Sequence, residues 1–185
     1  VQRRRPSPLQ SLPGVLRYIL EGKPWELWFD HCKELADEIA RLTTATHFDI
    51  VHIEPSYVAP YLEVLIANPR PRTSLTFHNV EASLYALVAR VEKDPVKRLR
   101  AWLHSKALHH WEPHYAERFD HCIAVSEDDR QLLLRANPAL KITVAPNGVD
   151  TKLYEFLPPP PEGAQPSLLF VGSMNYAPCA DAMLY

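Results

Sequence analysis

The hydrophobic pattern of this chain switches repeatedly between the period of a strand and the period of a helix. Short apolar runs rich in β-formers alternate with longer stretches whose apolar residues recur every three or four positions. Strands that alternate with helices predict a parallel sheet, because each parallel connection needs a crossover that a helix supplies. The sequence therefore predicts an α/β fold, a Rossmann-like parallel sheet with helices on both faces.

The individual elements can be predicted in chain order. We expect strands at 48–53, 73–77, 121–125 and 142–144, and helices at 24–42, 57–67, 80–92, 95–119 and 127–136. Pro24 suits a first helical turn, and Asp94 and Ser126 are residue types that cap helix N-termini.

Proline is the outlier of the composition, with 18 residues, and four of them are consecutive at 158–161. A proline run cannot continue a helix or a central strand, so it predicts a stiff, extended connector. We interpret residues 158–166 as a linker between domains. Residues 1–157 then form a partial first domain, and residues 167–185 provide the first strand, glycine turn and helix of a second domain.

Composition and charge exclude several classes of protein. A formal charge of −2 and 46% hydrophobic residues are typical of a soluble globular protein and not of a nucleic-acid binder. The three cysteines are odd in number and widely spaced, so they predict neither a disulfide framework nor a metal knuckle, and a reducing compartment fits best. The basic run at 3–5 leaves two interpretations open, a solvated tail or a contact with a membrane surface or polyphosphate.

Polar residues follow each predicted strand. In an open parallel sheet, the loops after the carboxyl ends of the strands converge on a crevice, where ligands bind. Each residue also has a structural interpretation, since a histidine at a strand end can bond to backbone, a serine can cap a helix and Asn-Gly is a turn signal. The candidates are Glu54, Ser56, His78, Asn79, Glu81, Ser126, Asn147 and Gly148.

A second histidine-rich segment lies on the long predicted helix. His110 and His114 are one helical turn apart, which raises the possibility of a zinc pair. The H-E-x-x-H order is missing and Pro113 lies between the two histidines, so we expect no metal site here. We expect a half-exposed helix face with Trp102 and Trp111 packed inward.

The motifs, taken in order, resemble those of a known enzyme family. They are Asp49-Ile50-Val51-His52, Phe77-His78-Asn79-Val80-Glu81, Glu112 with Tyr115 and Phe119-Asp120, Val125-Ser126-Glu127-Asp128-Asp129, Pro146-Asn147-Gly148-Val149-Asp150 and Phe170-Val171-Gly172-Ser173-Met174. From about residue 24 to the last residue, the chain resembles a group 1 (family 4) glycosyltransferase of the GT-B fold. The final stretch most resembles a bacterial subgroup that contains sugar transferases of polysaccharide clusters.

The resemblance implies an enzyme with two Rossmann-like domains that face a cleft. Such an enzyme transfers a sugar from a nucleotide-diphosphate sugar to a glycan or lipid-linked acceptor, with retention of configuration, and needs no cofactor and no metal. His78 would be the catalytic histidine near the donor sugar. Gly172, Ser173, Asn147 and Gly148 would lie on the donor side, and Glu54, Asn79 and Glu81 on the acceptor side. A cytoplasmic location is implied, and peripheral attachment at the inner membrane face and homo-oligomerisation stay open.

The chain also departs from the family pattern. No arginine or lysine follows Gly172, Cys179 stands where the subgroup has asparagine, and the Glu-x7-Glu element of the donor domain is absent. We therefore expect these 185 residues to be an inactive part of an active parent. Two other functions stay open, a nucleotide-sugar epimerase of the same fold and a non-catalytic binding domain.

Overall fold

The computed structural model describes residues 13–14, 16–17, 20, 23–25, 27, 32–65, 70–154, 158, 163, 165, 168–174 and 177–184. The chain divides into two compact units, Val1–Asn147 and Gly148–Tyr185. Most of the predicted linker at 158–166 lies outside the described residues, so the predicted domain boundaries stay predictions.

The first unit contains a parallel sheet of four strands in the order β1-β2-β3-β4. The strands are β1 (Ile50–Ile53), β2 (Arg72–Phe77), β3 (His121–Ala124) and β4 (Ile142–Val144). Neighbours in the sheet are also consecutive strands of the chain. The predicted α/β class with a Rossmann-like parallel sheet is confirmed.

Helices connect the strands. Helix α1 (Lys33–Ala45) precedes β1, and a 3₁₀ helix (Ser56–Val64) links β1 to β2. Helices α2 (Glu81–Val91) and α3 (Pro95–Ala116) link β2 to β3, and α4 (Glu127–Ala136) links β3 to β4. The second unit contains α5 (Ala177–Leu184).

Three predicted elements differ from the structure. The helix expected from residue 24 begins at Lys33, because Cys32 has an extended backbone with φ −124°, while residues 26 and 28–31 lie outside the described part. The helix expected at 57–67 is a 3₁₀ helix with Pro60 in its interior, where the missing N–H cannot support an α-helical ladder. Residues 168–171 form no strand, since among the described residues no neighbouring backbone pairs with them.

The apolar core lies against one face of the sheet. Ile53, Leu75, Cys122 and Ile142 are in register across the four strands, and all four are buried. They pack in one cluster with residues of α3 and α4, among them Leu108, Trp111 and Leu133. Burial of the Cys122 thiol raises its pKa to about 12.

The opposite face of the sheet carries hydrogen-bonded polar side chains. Successive residues of a strand point to opposite faces, so His52, Ser74 and His121 form the row next to the core row. The Nδ1 atom of His52 lies 2.7 Å from the Ser74 hydroxyl, and His121 Nε2 lies 3.0 Å from the Thr143 hydroxyl. Within the described ranges, the sheet residues of the core cluster all lie on the face opposite this polar row.

Asp120 fastens the beginnings of two neighbouring strands together. Its Oδ2 accepts hydrogen bonds from the backbone N–H of Thr73 at 2.8 Å and from the Thr73 hydroxyl at 3.0 Å. The same hydrogen bonds lower the pKa of the Asp120 carboxyl. The register of β2 against β3 is therefore held by side-chain bonds in addition to the ladder.

Helix α3 begins as predicted but presents a different face to solvent. Asp94 Oδ1 accepts hydrogen bonds from the N–H groups of Val96 and Lys97, so the predicted cap is confirmed. The helix continues through Pro113 and ends at Ala116. Trp111 is 8% exposed, as expected, but Trp102 is 49% exposed, so the inward packing expected of Trp102 is wrong. The buried stripe of the helix passes through Ala101, His104, Ser105 and Leu108, and Trp102 lies off that stripe.

No helix in the described part of the chain combines the length and the apolar character that crossing a membrane requires.

Ser126 should contribute to stability as the N-cap of α4. Its Oγ accepts a hydrogen bond from the N–H of Asp129 at 3.1 Å. We expect Ser126→Ala to lower the free energy of unfolding by about 1 kcal/mol, because the N–H loses its partner. Urea denaturation measures the change. Ser126→Thr keeps the hydroxyl and is the control, and equal losses in both variants would contradict the capping role.

Candidate functional site

The sheet brings two of the predicted site residues together. Glu54 follows β1 and His78 follows β2, and both strands are parallel neighbours, so their carboxyl ends reach the same edge. His78 Nε2 and Glu54 Oε1 are joined by a hydrogen bond. Both side chains are partly exposed, 40% for His78 and 46% for Glu54. The pair is therefore accessible to a ligand at the carboxyl edge of the sheet.

His52 extends this pair along the polar face of the sheet. Its Nε2 lies 3.2 Å from Glu54 Oε2 and 3.2 Å from the hydroxyl of Thr76, while its Nδ1 bonds to Ser74. The hydrogen bonds from His78 and then from His52 lower the pKa of the Glu54 carboxyl. The structure thus contains a cluster of His78, Glu54 and His52, here called the edge cluster, in which one carboxylate lies between two imidazoles.

The edge cluster has a defined chemical capacity. A carboxylate that accepts from Nε2–H fixes the ring orientation and favours the tautomer whose Nδ1 is an acceptor. Nδ1 of His78 can then accept a hydrogen bond from a hydroxyl group of a ligand. An arrangement of this kind can orient a polyol or a sugar. Its contribution to a reaction is to position the ligand more than to transfer a proton.

A buried carboxylate supports the loop that carries His78. Glu112 of α3 is 2% exposed and accepts hydrogen bonds from the N–H groups of Glu81 at 3.2 Å and Ala82 at 2.9 Å. These are orphan donors at the N-terminus of α2, where the N-cap residue Val80 offers no side-chain acceptor. The hydroxyl of Ser56, after β1, donates to the same carboxylate at 3.4 Å. Burial raises the pKa of Glu112 to about 7.

The other two residues expected on the acceptor side lie between these features. Asn79 is exposed and directly follows His78. Glu81 is half-buried at the first turn of α2, and its backbone N–H is bound by Glu112. The structure therefore places both on the loop and helix start that follow β2.

The residues expected on the donor side are described within their own units. Asn147 is the last residue of the first unit and is exposed, as are Gly148 and Ser173 of the second unit. A side chain at position 148 would meet no atom within 4 Å, so packing does not require glycine there.

Gly172 is different, because its neighbours leave no room for a side chain. A Cβ atom there would lie 2.8 Å from Cε1 of Phe170 and 2.9 Å from Sγ of Cys179. Its φ is not in the left-handed region, so close approach and not backbone freedom favours glycine. Cys179, on α5, is thus a packing neighbour of the turn.

The histidines of α3 do not gather a metal-binding set. The rings of His110 and His114 are 4.6 Å apart, and Nδ1 of His114 bonds to the backbone carbonyl of His110. Among the residues that the structure describes, no three metal-ligating side chains are grouped so that they could hold an ion.

The sequence places Ser56 at the end of the first strand but does not predict its bond to Glu112. It also assigns no separate role to His52 and does not predict that Glu112 is buried, although both residues stand in the family motifs. One signal was present, since residues two apart on a strand face the same side and His52 is two residues before Glu54. The contact of Glu112 with α2 spans 30 residues and depends on how α3 packs, which no local pattern reveals.

The family model for Glycosyltransferase Family 4 matches residues 3–153. The search of curated proteins finds no match.

Glu112 should make stability depend on pH in an unusual direction. Its pKa is about 7 in the folded protein against 4.5 ordinarily, so the folded state binds the proton more tightly. Stability from this group is therefore greatest below about pH 4.5 and falls as pH rises towards 7. The difference in unfolding free energy between wild type and Glu112→Gln should fall by about 3 kcal/mol over that range.

Urea denaturation at a series of pH values measures this difference. Asp128→Asn, which changes an exposed carboxyl, is the matched control and should show no such trend. A pH-independent difference between wild type and Glu112→Gln would contradict the raised pKa.

Proposed function

This chain belongs to glycosyltransferase family 4, and from that membership we propose that it is part of an enzyme that transfers a sugar from a nucleotide-diphosphate sugar to a glycan or lipid-linked acceptor. The bond between the anomeric carbon and the diphosphate oxygen breaks, and the acceptor oxygen forms the new bond. The acceptor hydroxyl proton passes to the departing diphosphate. We propose that configuration is retained, that neither metal nor cofactor takes part, and that turnover needs a longer chain with a complete donor domain.

The observation that carries the proposal is the pairing of His78 with Glu54 at the carboxyl edge of β1 and β2. Ligands of open parallel sheets bind at this edge. The family match covers both residues. A partly exposed imidazole whose orientation is fixed by a carboxylate suits a sugar hydroxyl as a ligand.

We assign different roles to the two side chains. His78 is the proposed catalytic residue. Its Nδ1 accepts a hydrogen bond from a hydroxyl group of the donor sugar, which orients the anomeric carbon for transfer. Glu54 is a positioning residue that acts through His78. Asn79 and Glu81, on the same loop, are proposed to contact the acceptor.

On the donor side we propose that the turn at Gly172 and Ser173 binds the diphosphate through backbone N–H groups. The packing of Phe170 and Cys179 around Gly172 supports this, since a side chain there would displace the turn. Asn147 and Gly148 are proposed to shape the donor side. The enzyme is proposed to be cytoplasmic and to act at the inner membrane face, where a lipid-linked acceptor is presented.

Replacing His78 should impair transfer. We expect His78→Ala to lower kcat of the full-length parent about 100-fold, because the donor sugar loses its orienting contact. Release of the nucleotide diphosphate and glycosylation of the acceptor are both measured. His110→Ala, which removes an exposed histidine of α3, is the control. Transfer by His78→Ala at the wild-type rate would exclude His78 from the site, and nucleotide release without acceptor glycosylation would indicate an epimerase.

Glu54 should act only when His78 is present. We expect Glu54→Ala to lower kcat in the wild-type background and to have little further effect in His78→Ala, because a positioning residue needs the group that it positions. A double-mutant cycle on kcat measures this coupling, with KM for the donor followed in parallel. Additive losses in the cycle would show that Glu54 acts independently of His78.

A further inference from the structure

Helices α2 and α3 form a hairpin whose outer surface is apolar and basic at once. The two helices are joined by three residues, 92–94, and pack against each other. Position 91 and all positions from 93 to 100 are exposed, so the end of α2 and the beginning of α3 project from the unit. Neither the edge cluster nor the donor-side residues lie on this projection.

The exposed face of α3 carries an apolar stripe. Val96, Leu99 and Leu103 recur at helical spacing, with Trp102 beside them, and each is about half exposed or more. The buried stripe of the same helix runs through Ala101, His104 and Leu108, on the opposite side. Helix α3 therefore has two apolar faces. One packs into the core cluster of the described residues, and the other is exposed. At the end of α2, Leu87 and Val91 add two more exposed apolar side chains.

Basic side chains surround this stripe. A groove of about 520 Å³ between α2 and α3 is lined by Arg90, Arg98 and Lys106, together with Leu99 and Trp102. All three basic side chains are exposed, and within the described ranges none of them forms a salt bridge.

The charge is concentrated in this part of the chain. Residues 86–106 contain six Lys or Arg and two acidic residues, a formal charge of +4 in a chain whose total is −2. The rest of the chain therefore carries −6. Of the two acidic residues, Asp94 is bound to the N–H groups of α3, and Glu92 accepts from the N–H of Asp94.

We propose that the outer surface of the α2–α3 hairpin binds the surface of a membrane that contains anionic lipids. The apolar stripe with its tryptophan enters the interface, and the surrounding arginines and lysines contact phosphate headgroups. A soluble phosphate ligand would account for the cations but not for the exposed apolar side chains. An acidic membrane surface accounts for both and for the local excess of positive charge. The inference extends the proposed action at the inner membrane face by assigning that contact to one surface, and it does not depend on sugar transfer, since it concerns binding alone.

Vesicle flotation with the 185-residue chain tests the proposal. The probes are vesicles of phosphatidylcholine alone and vesicles of phosphatidylcholine mixed with phosphatidylglycerol, at low and high salt. We expect binding to the mixed vesicles at low salt, weaker binding at high salt and little binding to phosphatidylcholine alone. Arg98→Gln/Lys106→Gln should weaken binding about 25-fold, because each basic residue near an anionic surface contributes about fivefold.

A matched pair of substitutions controls for net charge. Lys141→Gln/Lys152→Gln removes two exposed lysines elsewhere and should bind the mixed vesicles like wild type. Trp102 supplies an independent readout, since wild-type fluorescence should shift to shorter wavelength on the vesicles and the Trp102→Phe variant should lose most of that shift. Urea denaturation confirms that every variant is folded.

Three results would overturn the proposal. They are no binding of the folded wild type to the mixed vesicles, equal loss of binding in the two double variants, and an unchanged shift in Trp102→Phe. Concentration-dependent self-association that Arg98→Gln/Lys106→Gln abolishes, without vesicle binding, would assign the surface to a second copy of the chain. Failure of vesicle binding would contradict the proposed action at the membrane face but would leave the proposed sugar transfer untouched, and loss of activity in His78→Ala would leave the membrane contact untouched.

Discussion

The buried carboxylate of Glu112 is the interaction on which the geometry of the site depends. A charged or polar group in the core is costly unless its hydrogen bonds are satisfied, and Glu112 bonds to the beginning of α2 and to Ser56. It thereby joins the segment after β1 and the segment after β2 to the middle of α3. Glu54 and His78 lie on those two segments. Glu112 therefore holds the backbone that carries them, although it contacts neither side chain.

Features that depend on neighbouring residues could be predicted from the sequence. Features that depend on contacts between distant segments could not. Local signals were sufficient for β2 and β4, for the caps Asp94 and Ser126, and for the parallel class of the sheet. The start of α1 was predicted too early, because apolar spacing continued through Cys32 while the backbone there is extended. For the site, alternation and strand order predicted that Glu54 and His78 share an edge. The Glu112 contacts depend on tertiary packing, and the outward position of Trp102 depends on which of two apolar faces of α3 packs inward.

The two faces of the sheet have different roles. One face holds the apolar cluster that stabilises the unit, and the other holds the row that begins with Ser74 and His52 and leads through Glu54 to His78. Since side chains alternate along each strand, the same four strands build both layers. Substitutions at the inner positions should therefore act on stability, while those in the polar row should act on how the proposed catalytic histidine is held.

The position of Cys122 in the core row makes its thiol a probe of sheet opening. Its thiol is buried in β3 with a pKa of about 12, so the reactive thiolate is almost absent at neutral pH while the sheet is closed. Alkylation of this sulfur then requires β3 to separate from the helices that cover it. The rate of alkylation at Cys122 therefore reports how often the sheet opens. Mass spectrometry measures this rate without any engineered probe.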